Sequence, residues 1–361
     1  MTRRKTNIVM VGPDIEGLGG ISRVARIWRN GSIFSENKVK YISTVTEKEV
    51  NQWFYLLKAF ASFVVSIHRG HPLVYVHTPA YNGFRRKALF LAFALLLRKK
   101  VILHIHSGYF YKFLIGLKGA EKKLIFFLLH RLNAFIVLSE EMRANIQGFL
   151  PHKPIYVLRN PINVKSAQIS DHHIRAQSKL LYLGWYITEK GVYDLVDAIS
   201  ILTSRGAEIN LEFYGTKQIK KLQSYVKSKG LEGVISVNGW IDGPEKSAAL
   251  HQATALVLPS YSEGIPNVIL EAMATKTPII STLVGGLKEI LQDEENAIIA
   301  EPGNPKDLSE KILKCIKDEE LRNKIASKAY DDVVTKYDIA IIKKELSLIL
   351  EQFSHSAPTA I

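Results

Sequence analysis

Two carboxylates eight residues apart, Glu263 and Glu271, flank a Gly264-Ile265-Pro266-Asn267 corner in SEGIPNVILEAMATKTPIISTLVGG, residues 262–286. The preceding ATALVLPS is apolar and predicts a buried strand ending near Ser260. Pro266 and Asn267 supply helix-start chemistry, and VILEAMA continues as a helix. Glu263 is therefore expected on a loop at the carboxyl end of a strand, with Glu271 about one turn into the next helix. The amides of Asn267 and Val268, at that helix start, favour an anion such as phosphate. A carboxylate beside an anion site suits sugar hydroxyls rather than the phosphate. The pattern implies a nucleotide-sugar.

Other chemistry-bearing residues are scattered. Lys190, in GWYITEKG, offers a point charge on a flexible stem that suits diphosphate oxygens. Gly17, Gly19 and Gly20 follow a first strand and precede a helix carrying Arg23, Arg26 and Arg29. Glycine there permits close backbone approach to a ligand, but Ser22 breaks the G-x-G-x-x-G fingerprint of dinucleotide sites. His106 ends the strand VILHIH, at a sheet's carboxyl edge, with His104 on the same face deeper along it. His77 and His104 are expected to pack. No D-x-D pair, no helical i, i+4 histidine pair with a carboxylate, and no assignable Ser-His-Asp arrangement is present, so no metal and no resident cofactor is expected.

The E-x7-E element, the EG-x-PNV corner and the VGG turn with Glu289 resemble the donor site of family 4 retaining glycosyltransferases. The resemblance extends in order through GGISRV (19–24), VILHIH (101–106), RNP (159–161), GWYITEKGVYDLVDAI (184–199) and NGWID (238–242). It implies the GT-B fold, two Rossmann-like domains facing across a cleft. It also implies transfer of a hexosyl group, without metal, from a nucleotide-diphosphate sugar to a glycan hydroxyl with retention of configuration. The resemblance places ribose hydroxyls on Glu271, donor-sugar hydroxyls on Glu263, and sugar and phosphate on the backbone of Gly264, Ile265, Pro266, Asn267 and Val268. It puts the base on Trp240 and Ile241, the diphosphate on Lys190, the donor phosphate and acceptor near Gly19 and Gly20, and the sugar's reactive carbon near His106. Two positions depart from the family: Trp185 stands where an arginine is usual, and Lys276 where glycine is. Arg23 or Lys217 is expected to replace the missing cation. Two rivals share the fold, a nucleotide-sugar 2-epimerase and a non-catalytic sugar-nucleotide-binding protein.

Elements alternate through both halves. NIVMV, PLVYVH, VILHIH, AFIVLS and PIYVLR read as strands separated by helices, and KLLYLGW, INLEFYG, ISVNGW, ALVLPS, PIIST and AIIAE restart the series. The expected division is 1–165 for an acceptor-side domain and 166–338 for the donor domain. The C-terminal helix, within 339–361, is expected to cross back to the first domain. ALFLAFALLL (88–97) is too short to span a bilayer and predicts a buried helix.

Charge is unbalanced along the chain. Residues 1–165 hold 26 Lys and Arg against 8 Asp and Glu, and residues 166–361 hold 22 against 26. Basic clusters at 85–87, 98–100 and 118–123, the last beside apolar LIFFLL, suggest an anionic bilayer or acidic acceptor. No nucleic-acid motif accompanies them. The single cysteine, Cys315, excludes an internal disulfide and suits a reducing compartment. A cytoplasmic, peripheral membrane enzyme of polysaccharide biosynthesis is expected, taking a UDP-sugar before a GDP-sugar and a lipid-linked acceptor.

Overall fold

The structure is a computed structural model that describes residues 6–46, 51–68, 72–167 and 178–354. The chain divides into two compact units, Met1–Pro161 with Ile339–Ile361, and Ile162–Asp338. Each is a six-stranded parallel sheet covered by helices.

Unit 1 contains β1 (Asn7–Gly12), β2 (Lys38–Ser43), β3 (Leu73–Thr78), β4 (Val101–Ile105), β5 (Ala134–Val137) and β6 (Ile155–Val157), in the order β2-β1-β3-β4-β5-β6. Its central strands are buried on both faces, as parallel strands between helices must be, which is why they read as continuous apolar runs. Strand β2 departs from that rule. KVKYIS alternates exposed and covered positions, so no apolar run announces it. One face of the sheet packs on α1 (Gly20–Asn30) through Val24 and Trp28. Ile342, Leu346 and Ile349 of the C-terminal helix join the same cluster. Three more helices, α2 (Gln52–His68), α3 (Asn82–Leu96) and α4 (Gly119–Arg131), lie side by side. The apolar run 88–97 falls mostly within α3, whose Phe84, Phe90, Leu91 and Ala94 are buried.

Unit 2 contains β7 (Lys179–Trp185), β8 (Asn210–Thr216), β9 (Ile235–Asn238), β10 (Ala255–Leu258), β11 (Ile279–Ser281) and β12 (Ile298–Ile299), in the order β12-β11-β10-β7-β8-β9. Its first and fourth strands sit side by side at the centre, so their carboxyl ends open at one place. Ligands bind at such a point in open parallel sheets. Two helices matter for the site, α5 (Gly243–Gln252) and α6 (Asn267–Ala274).

Candidate active site

The carboxyl end of β10 delivers Ser260 and then Glu263. The side chain of Glu263 is buried, and its Oε1 accepts from Ser260 Oγ at 2.7 Å and from Lys190 Nζ at 2.5 Å. Lys190 reaches it because of the turn Thr188–Lys190 after β7. That turn ends at Gly191, which has φ +66° and lies against the carbonyl of Pro259, where any Cβ would collide. The Tyr261 amide also donates to Glu189 O at 2.9 Å, tying the two strand ends together. Lys190 and Glu263, expected to serve the diphosphate and the donor sugar separately, thus form one hydrogen-bonded cluster with Ser260, partly open at Lys190.

The corner Gly264, Ile265, Pro266, Asn267 and Val268 leads into α6, with Pro266 at the N-cap and Asn267 the first helical residue. The VGG turn holds that corner in place. Gly285 has φ +53°, and both it and Gly286 lie against the carbonyls of Glu263 and Gly264, leaving no room for a side chain. The Gly286 amide donates to Glu263 O at 3.3 Å. Glycine at these positions follows from close backbone approach.

Glu271 lies one turn inside α6 and is 4 % exposed. Its Oε2 is 3.1 Å from Lys246 Nζ of α5, and that ammonium is also 3.0 Å from Asp242 Oδ1. Lys246 is itself buried. Sequence reasoning missed it, since nothing in GPEKSAALHQ marks one lysine as turned inward. Trp240 and Ile241 occupy the loop between β9 and α5, a few residues from Asp242. Ile241 is buried, and the buried Trp240 Nε1 has no hydrogen-bond partner among the described residues.

Of the two family departures, Trp185 is partly exposed, and Lys217 Nζ lies 5.6 Å from its ring centroid. Lys217, one of the two residues expected to replace the missing cation, thus lies beside that ring at the end of the adjacent strand β8. Arg23 lies on α1, in unit 1. Lys276 adopts φ +53° just after α6 and rests its ammonium 4.7 Å above the Tyr330 ring. Glycine suits that left-handed position for backbone reasons alone.

The remaining expected site residues, Gly19, Gly20 and His106, belong to unit 1. Gly19 is the N-cap of α1, with φ 137°, and Gly20 is its first residue. His106 follows β4, and its Nε2 is 2.8 Å from His77 Nδ1. His104 Nδ1 is 2.8 Å from Tyr75 Oη, and its ring stacks on Trp28. Burial pushes all three imidazoles down, His106 to about 3, and Lys87 lowers His77 and His106 further. Lys87, from the expected basic cluster 85–87, is turned inward instead of facing solvent, and burial brings its ammonium down to about 7. The ring nitrogens of His77, His104 and His106 converge within 4.8 Å, the one such group of three among the described residues. The register β3 to β4, His77 opposite His104, creates that cluster, which no helical spacing encodes. The rings bond each other and Tyr75 beside a buried lysine, with no carboxylate partner, a setting that suits neutral imidazoles better than a cation.

Residues 39–166 match the family described as Glycosyltransferase Family 4, and residues 166–332 match Glycosyl transferases group 1. The chain belongs to the group 1 glycosyltransferases. Among solved structures, this group 1 glycosyltransferase is similar to sucrose-phosphate synthase from Thermosynechococcus elongatus (TM-score 0.79, 17 % identity, 96 % of this chain and 99 % of that one). It is also similar to Anabaena HepE in complex with UDP and glucose (TM-score 0.74, 17 % identity, 96 % and 100 %). At such identities the likeness shows the fold, which is GT-B. Staphylococcus aureus CapM, a capsular polysaccharide biosynthesis glycosyltransferase, is 26 % identical over 220 residues, 60 % of this chain and 57 % of that protein. The matched regions span 37 to 57 % of the length of the curated relatives.

Proposed function

We propose that this group 1 glycosyltransferase is a family 4 retaining hexosyltransferase. Its donor is a nucleotide-diphosphate sugar, UDP-linked before GDP-linked, and its acceptor a hydroxyl of a lipid-linked glycan in cell-surface polysaccharide assembly at the cytoplasmic face of a membrane. The observation that carries this reading is the Lys190–Glu263–Ser260 cluster at two adjoining strand ends, with Glu271 buried one turn into α6. A buried carboxylate with a movable ammonium beside it can exchange partners. The ammonium turns to the diphosphate, and the carboxylate accepts from sugar hydroxyls. HepE, described with UDP and glucose, and CapM, a polysaccharide enzyme, are in keeping with this donor and pathway class.

The chemistry needs little from the protein beyond position and charge. The bond from the sugar's anomeric carbon to the diphosphate breaks as the acceptor oxygen attacks the same face. The acceptor proton passes to the departing phosphate oxygen. Lys190, joined by Lys217 beside Trp185, offsets the charge growing on the diphosphate, so no metal or other cofactor is required. Glu271, aligned by Lys246, takes the ribose hydroxyls, and the Trp240 indole N–H is a donor for the base. Neutral His106, in unit 1, can donate or accept a hydrogen bond without adding charge.

The test is to incubate purified protein with UDP- and GDP-sugars in chelator, with and without glycan acceptors. Slow donor hydrolysis, and transfer with retained configuration, is the expected result. Activity that vanishes in chelator and returns with magnesium or manganese would refute the metal-free assignment. A donor converted to its 2-epimer without acceptor would replace transfer by isomerisation.

A further inference from the structure

Half of the large exposed apolar side chains in the described structure, eight of sixteen, fall on the three neighbouring helices of unit 1, α2, α3 and α4. Phe60 and Phe63 of α2 pack on Phe90 of α3, with ring centroids 5.4 and 5.1 Å apart, so the helices form one surface. Trp53, Leu57 and Val65 recur at helical spacing on α2 and point outward, Trp53 being 77 % exposed, with Phe54 beside them. Leu96 on α3, 75 % exposed, and Phe127 on α4 extend the apolar face. Lone exposed apolar residues need no explanation, but a contiguous set on adjoining helices does.

Charge on the same helices has one sign. Lys58, Arg85, Arg86, Lys122, Lys123 and Arg131 are exposed cations, and Glu121 is the single acid in the three helices. Arg85 bonds that carboxylate at 2.6 Å, so it leaves no net negative charge to repel an anion. Lys40 and Lys58 also line a groove of about 480 Å³ beside Phe54. No helix among the described residues is long and apolar enough to cross a membrane. An apolar stripe ringed by cations, on helices that do not span, is the pattern of a surface lying in the headgroup region, with aromatic rings below and ammonium groups level with phosphate. A second copy of the chain would instead set cation against cation.

We propose that the outer face of α2, α3 and α4 docks on an anionic lipid bilayer, with Trp53 and Phe54 entering its acyl boundary. The deepest contact is then on α2, not on the LIFFLL helix that the sequence singles out. This goes beyond the donor reading and does not rest on it. The test uses full-length protein and phosphatidylcholine vesicles with and without phosphatidylglycerol, at low and physiological salt. Co-flotation should be about tenfold or more stronger on the anionic vesicles at low salt and should weaken as salt screens the exposed charges. Acyl-brominated lipid should quench tryptophan emission, and Trp53→Phe should remove most of that quenching. The pair Trp53→Ser with Leu57→Ser, and separately Arg86→Ser with Lys122→Ser and Lys123→Ser, should each lower flotation about tenfold while the circular-dichroism melt is unchanged. Absence of flotation at low salt, equal flotation on both vesicle types, or quenching that survives Trp53→Phe would overturn the proposal. So would self-association abolished by Trp53→Ser in a protein that ignores vesicles. Vesicle binding without any nucleotide-sugar response would instead count against the donor reading alone.

Discussion

The two units share one architecture and solve the burial of polar groups in opposite ways. Unit 1 holds 27 Lys and Arg against 10 Asp and Glu, and unit 2 holds 21 against 24. In unit 1 the inward polar groups beside β3 and β4 are His77, His104, His106 and Lys87, kept toward their neutral forms by burial. In unit 2 they are ion pairs, Lys190 with Glu263 and Lys246 with Glu271. A buried group without a counter-charge tends to give up its own charge, whereas a paired one can keep it. The same fold therefore yields an uncharged polar nest in one unit and buried ion pairs in the other. Under the proposed function, only the second has charged groups that could trade partners with a diphosphate.

The sharpest way to break this contrast is Lys190→Ala. If the ammonium stabilises charge on the departing diphosphate, turnover should fall about 10²- to 10³-fold. Lys87→Met should leave nucleotide affinity unchanged, since that lysine serves the uncharged nest. Comparable losses of turnover from both would erase the distinction between the units.

The pH response should differ as well. The folded chain holds its three imidazoles below the ordinary value of 6.5, so the unfolded chain binds more protons in acid. Their stabilising contribution to unit 1 is complete above 6.5 and is lost as pH falls toward about 3, where His106 titrates. Lys87 acts at the other end. Its folded value near 7 lies below the ordinary 10.5, so stability rises with pH across that interval. Amide protection in β3 and β4, corrected for the pH dependence of intrinsic exchange, should fall before that in β7 and β10 as pH drops from 6.5. Lys87→Met should flatten the rise between 7 and 10.5, and an unaltered slope would show that Lys87 does not cause it.

The smallest effect concerns the second family departure. Lys276→Gly should relieve left-handed strain while forfeiting a cation–π contact, a net change within about 1 kcal/mol, with donor kinetics unaffected. A large kinetic effect from this change would mean the position contacts substrate.

Much of this was legible in the chain. The buried strands announce themselves as apolar runs, the corner at Pro266 starts a helix, and Glu263 and Glu271 fall where their spacing puts them. What was hidden depends on residues distant in sequence. The half-exposed β2, with lysines at alternate positions, carries too little apolar signal to stand out. Lys246 looks like any solvated helical lysine until α5 packs on α6. The His77–His106 bond follows from strand register across 29 residues, which no local spacing encodes. Trp185 was visible as a departure, but the cation standing over it comes from the end of the adjacent strand.

The central claim is that unit 2 divides the donor between two buried carboxylates, ribose on Glu271 and sugar on Glu263. Titration calorimetry of UDP in chelator, on wild type, Glu271→Ala and Glu263→Ala, with turnover measured alongside, tests it most directly. Glu271→Ala should weaken UDP by roughly 1.5–3 kcal/mol, whereas Glu263→Ala should spare UDP and depress turnover further. Equal losses of UDP affinity in the two variants would contradict the account.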